Sequence, residues 1–162
     1  MEFTEAEAKL KLGALNSGAE QIDRIDVVTR LTNAGLPQEV ITRINELWET
    51  TRVISGQIFN IGKIILSEII RFIENNSHMA VGVAIGAAVG SLTSMIPFIG
   101  PLLTPLATAI TAVVGGIAGY RLDQGREPDD GTIGVSQDLI SIAKNFFELL
   151  ANIFNALRAH FS

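Results

Sequence analysis

The chain contains no cysteine, and among its 162 residues only one tryptophan (Trp48) and one tyrosine (Tyr120) stand beside eight phenylalanines. Without cysteine a disulfide scaffold, a zinc–thiolate site and thiol catalysis are excluded. There is no Lys/Arg cluster and no basic tail, and the net charge is −5. Nucleic-acid binding, which depends on basic residues neutralising phosphates, is therefore not expected. The opening Met-Glu-Phe-Thr-Glu-Ala-Glu is acidic and has no apolar core. It fits neither a secretory signal peptide nor an arginine-rich transit peptide, so synthesis in a cytoplasm without a cleaved signal is expected.

Charge is also scarce, and unevenly so. Charged residues make up 18% of the chain against about 25% in ordinary globular domains. The deficit is concentrated in 46 consecutive residues, Asn75 to Tyr120, that contain no Asp, Glu, Lys or Arg. A bilayer requires such a run, because a charge at its centre costs roughly 2.5–3.5 kcal/mol even on lenient scales. Overall hydrophobic content, 48%, is ordinary.

What is present reads as helix throughout. Thr4 with Glu7 fits a capping box, so a helix starts near Glu5; Gly13 and Asn16-Ser17-Gly18 are expected to interrupt it within a 1–36 region of short helices. A second helix is expected over about 19–33, capped by Gly35, and Pro37 opens the next. From 37 to 74 an apolar stripe (Ile44, Leu47/Trp48, Ile54, Ile58, Ile61, Ile65, Ile69, Phe72) predicts one long amphipathic helix, which Gly56 and Gly62 weaken without ending. At 1.5 Å per residue it would reach about 57 Å. Residues 75–122 form an apolar hairpin, 123–134 a polar loop, and 135–162 a C-terminal amphipathic helix lined by Leu139, Ile142/Ala143, Phe146, Leu150, Ile153/Phe154, Leu157 and Phe161.

Within the hairpin, Pro97 ends the first arm and Pro97-Phe98-Ile99-Gly100-Pro101 makes an apolar turn. Thr104 as N-cap and Pro105 at the first helical position are expected to open the second arm. Each arm is short beside the roughly 20 residues of a full crossing, so spanning and shallow wedging both stay open. Lys63, Arg71, Arg121 and Arg126 flank the hairpin, which suits termini on the cytoplasmic side. A buried hairpin inside a soluble helical bundle is the bland alternative.

Small residues repeat every four positions: Gly82, Gly86, Gly90 and Ser94 on the first arm, Ala107, Thr111, Gly115 and Gly119 on the second. Such faces let helix backbones approach closely, within one hairpin or between subunits. This pattern resembles the glycine-zipper membrane proteins, and the uncharged hairpin between amphipathic helices is similar to the insertion hairpin of pore-forming colicins. The resemblance covers about residues 78–120 and implies a membrane-inserting, self-associating hairpin. Thr104, Thr108 and Thr111 share a face and could line a pore, or simply bond back to their own helix carbonyls.

Chemistry is otherwise absent. His78 and His160 lie far apart, without a carboxylate pair at ligand spacing. Gly56 to Gly62-Lys63 fails as a phosphate loop, since five residues separate the glycines where four are needed and Ile64 stands at the Ser/Thr position. The 123–130 loop lacks the ligand alternation of a calcium site. No catalytic residue, cofactor or metal site is expected, and an enzyme is not.

These features together predict an all-α protein: a membrane-inserting hydrophobic hairpin flanked by long amphipathic helices, with the lipid bilayer and further copies of itself as partners. An oligomeric pore is the leading expectation. A membrane-shaping scaffold and a soluble helical interaction module are the alternatives.

Overall fold

Thr4 and Glu7 close the capping box: Thr4 Oγ1 accepts from the Glu7 amide at 3.1 Å, and the Glu7 carboxylate accepts from the Thr4 amide at 3.2 Å. The Thr4 hydroxyl, which donates to the same carboxylate at 2.9 Å, and then the Thr4 amide hold the Glu7 carboxyl below its usual pKa. In the computed structural model, which describes residues 3–77, 80–110 and 131–161 (backbone alone for 131–138), helix α1 then runs unbroken over Glu5–Glu20. The expected interruption at Gly13 and at 16–18 is absent. Ala8, Leu12, Asn16 and Ala19 form a buried stripe that α1 presses onto its neighbours, and this tertiary packing outweighs local turn preference.

Helix α2 spans Arg24–Asn33, with Asp23 accepting from the Ile25 amide at 3.1 Å as its N-cap. It ends in a Schellman motif. The Leu36 amide reaches the Leu31 carbonyl, the Gly35 amide reaches Thr32, and Gly35 takes φ +100°. Pro37 precedes α3, Gln38–Trp48.

The single helix expected over 37–74 does not exist. After α3 the chain forms a hairpin of two short strands, β1 (Arg52–Ile54) and β2 (Gln57–Phe59), before α4 begins at Ile61–Asn75. Ser55 and Gly56 both have positive φ, 53° and 81°, as a two-residue hairpin turn demands. The stripe that suggested a helix is ambiguous here: Ile54 and Ile58 fit a helical period, but Val53, Ile54, Ile58 and Phe59 also alternate across a strand pair. Ile54 and Phe59 are fully buried, whereas Val53 and Ile58, paired across the strands, are 59% and 62% exposed.

Helix α4 is the central element and touches α1, α3, α5 (Val81–Met95) and α7 (Gly131–Ala156). Its start is fastened by Asn16, a buried side chain whose Oδ1 accepts from the Asn60 amide at 2.8 Å and from Asn60 Nδ2 at 3.1 Å. Gly62 lies against α3's end so closely that a Cβ there would stand 1.7 Å from the Leu47 carbonyl oxygen. The Gly62 amide donates to Thr50 at 3.0 Å. Along the other end of α4, Phe72 packs on Phe146 and Phe147 with ring centres 5.4 and 5.5 Å away.

Helix α2 is tied on from outside. Arg24 meets Glu49 at 2.7 Å, and Arg30 bridges Asp26 (2.7 Å) and Glu74 (2.6 Å), which together raise the Arg30 pKa, Asp26 most. These are exposed pairs and contribute little to stability. Helix α7 begins by Gly131, earlier than the expected 135, and buries Leu139, Ala143, Phe147, Leu150 and Phe154, with Leu157 buried just beyond its end. Ile142 of the expected stripe points outward at 44% exposure. Apart from the two-stranded hairpin, the regular structure among the described residues is helical.

Candidate functional site: the uncharged hairpin

The described part of the uncharged run consists of α5, a 3-10 turn over Pro97–Ile99 and a helix α6 over 100–110. The chain turns by 118° between α5 and the 97–110 segment. Two facts shape the local fold. Proline cannot continue α5 beyond Ile96, and Pro97 and Pro101 occupy early-turn positions where no amide partner is required. The 3-10 turn therefore flows directly into α6, and the helix is already formed at Thr104. Thr104 is not an N-cap, as expected from sequence; its hydroxyl donates back to the Gly100 carbonyl at 2.8 Å. Pro105 lies within α6 and is exposed, with no N–H to offer Pro101.

Burial divides α5 into two faces. Ala84, Ile85, Ala88, Val89 and Leu92 are buried against α4 and α7. Gly82 and Gly86 are half-buried, and Gly90 and Ser94 are exposed. A Cβ at Gly86 would make ordinary contact, 3.5 Å, with Ile110 Cγ2 of α6. At Gly90 it would meet nothing within 4 Å. Of the four-residue stripe, then, Gly86 faces the second arm and Gly90 opens outward. On α6, Leu103, Leu106, Ala109 and Ile110 are buried, Ala107 is half-buried and Thr108 is exposed. In the turn Pro97 and Pro101 are exposed and Gly100 is half-buried. Thr111, Gly115, Gly119, His78, Arg121, Arg126 and the loop 123–130 lie outside the described residues.

The hydroxyls behave in different ways. Thr93 and Thr104 bond back to their own helix, Thr93 Oγ1 donating to the Val89 carbonyl at 2.8 Å. Ser91, 2% exposed, has a buried hydroxyl with no partner.

Sequence reasoning missed how the apex is fastened. Asn155 of α7 donates to the Met95 carbonyl at 3.0 Å, taking up a carbonyl that the end of α5 leaves free. Phe98 stacks on Phe161 at 5.3 Å, and Phe161 on Phe154 at 5.4 Å. Arg52 of β1 donates to the Phe161 carbonyl at 3.0 Å and lies over the same ring. The neighbouring His160 ring meets the Glu5 carboxylate of α1. Asn155, a polar residue in an apolar stretch, and Phe161 on the apolar face are the signals visible in sequence.

No single described helix is long and apolar enough to cross a membrane; α5 with the 97–110 segment passes by length and composition only as a bent pair. Among the described residues no group of three or more His, Asp or Glu could hold a metal ion. Shallow concavities among the described residues include one of about 350 Å³ beside Arg24, Ile25 and Val28 and one of about 130 Å³ between Leu47 and Leu106. Neither gathers residues capable of catalysis. Comparison with protein-family models, with curated proteins and with solved structures finds no match.

Proposed function

We propose that this chain is a membrane-inserting, self-associating protein whose uncharged hairpin leaves the helical bundle and assembles with other copies into an oligomeric pore. One observation carries the reading. The outward face of α5 and α6 is solvent-exposed at Val83, Gly90, Ser94, Thr104 and Thr108, and the whole segment from 80 to 110 holds no charge. A face that meets only water gains from charge. One without any suits lipid or close-packed helices.

The physical path is open. In a bilayer the hairpin would keep its backbone bonds inside its helices, the condition for any spanning segment. The inner face of α5, buried now by α4 and α7, would be covered by acyl chains, while the small outer face would let a second hairpin approach. Fifteen residues of α5 reach about 22 Å, short of the roughly 30 Å core. A pore therefore needs the helices to lengthen into adjoining uncharged residues. A hairpin that does not lengthen would wedge, the property of a membrane-shaping scaffold.

Gly90 supplies the test. Gly90 is exposed and a Cβ there meets nothing within 4 Å, so the thermal midpoint of Gly90→Leu should hold or rise. Native protein should release dye entrapped in anionic vesicles and run as an oligomer in detergent; Gly90→Leu should cut release about tenfold and shrink the oligomer. Failure of the native chain to float with vesicles would overturn the proposal. Tubulated vesicles that retain their dye would replace the pore with the scaffold.

A further inference from the structure

We propose that the turn over Arg158–Phe161 is a latch on the hairpin apex, and that Phe161 leaving Phe98 is the opening step that frees the uncharged hairpin. The latch is read from packing in the folded chain, while its consequence for membranes rests on the function proposed above.

Phe161 is a junction of four elements. Its ring touches Phe98 at the apex and Phe154 of α7, Arg52 of β1 covers the ring and binds the carbonyl, and adjacent His160 meets Glu5 of α1. Everything gathered on the far side of Phe161 is anchored to the bundle and much of it is charged. Everything on the Phe98 side belongs to the uncharged run. The ring contact is thus a boundary between a segment that must stay in water and one able to leave it.

The fastenings differ in kind. Along its length α5 is held by burial against α4 and α7, and the apex by buried Ile99 and Leu103. Beyond these, the apex is gripped by the Phe98–Phe161 ring pair and the Asn155 bond, which reach it from the end of α7 and the turn that follows. The apex is the part of a hairpin that enters a bilayer first. A short turn that grips it controls entry without gripping α5 itself.

The experiment uses the full chain and two readouts. Amide hydrogen exchange in water, resolved by peptide, compares the apex (residues 97–103) with mid-α4 (64–72). Phe161→Ala should speed apex exchange at least tenfold and leave α4 unchanged; Arg52→Gln, at an exposed side chain, should do the same more weakly. Because the chain has no cysteine, a Phe98→Cys/Phe161→Cys pair can be joined by a thiol-cleavable bis-maleimide. The joined protein should release no dye from phosphatidylcholine–phosphatidylglycerol vesicles, and cleavage should restore release. Unchanged apex exchange in both Phe161→Ala and Arg52→Gln overturns the latch, as does undiminished release from the joined pair. Faster apex exchange with no release from any variant supports the latch and overturns the membrane reading instead.

Discussion

Helices α4 and α5 are each 15 residues long and lie against one another, yet they are fitted to the chain differently. The partly or fully exposed side of α4 carries Lys63, Glu68, Arg71 and Glu74; α5 carries no charge anywhere. Neither helix has a side-chain cap, but the Asn60 amide just before α4 is bonded by Asn16. Gly62 of α4 is pressed on a backbone carbonyl, and Gly90 of α5 touches nothing. The buried hydroxyl of Ser91 in α5 lacks a partner. Each feature of α4 has a counterpart inside this chain. For α5 that holds on one face only, and the proposed function assigns its other face to further copies of the chain.

The contrast can be broken most sharply at Gly62. Gly62→Ala drives a methyl into the Leu47 carbonyl and should cost about 3 kcal/mol, the upper end for overpacking, lowering the thermal midpoint by roughly 6–12 °C for a chain of this size. A loss below about 1 kcal/mol in urea unfolding would show that the α3–α4 contact yields. Next in size, Asn16→Ala leaves the Asn60 amide unbonded at the part-buried entry of α4 and should cost about 1–3 kcal/mol, with faster amide exchange confined to α4's first turn. An unchanged midpoint would mean water replaces the side chain.

The two substitutions in α5 run the other way. Ser91→Ala removes a buried, unpartnered hydroxyl and should stabilise by about 1 kcal/mol, read as a higher urea midpoint at constant slope. Gly90→Ala should stabilise by about 0.5–1 kcal/mol through helix propensity alone, since its methyl meets nothing. If calorimetry showed either variant to be less stable, α5's outer or inner environment would be other than described.

Local chemistry was legible in the sequence. Thr4 and Glu7 bond within one turn, and Gly35 with Leu36 closes a helix by backbone geometry alone, so neither depends on distant residues. The hairpin at 52–59 was not legible, because isoleucines at 54, 58 and 61 satisfy a helical period while Ser55-Gly56 alone marks the turn. Asn16 read as part of a helix break; its side chain instead bonds the amide of Asn60, 44 residues away, which no local window contains. For the candidate site, absence of charge was plain. Which face of α5 turns inward was not, since alanine and glycine on all sides leave little contrast between faces. The regular glycine spacing belongs to α5, but Gly62, outside it, approaches a backbone more closely than Gly86 or Gly90.

Trp48, the only tryptophan, ends α3 at 7% exposure, beside the Leu47 carbonyl that Gly62 meets and under the Lys63 ammonium at 5.4 Å. Intrinsic fluorescence excited at the indole band is therefore a built-in optical gauge of the α3–α4 joint. Global unfolding, which exposes the indole, would shift its emission to the red. A single cuvette can then follow whether that joint has come apart.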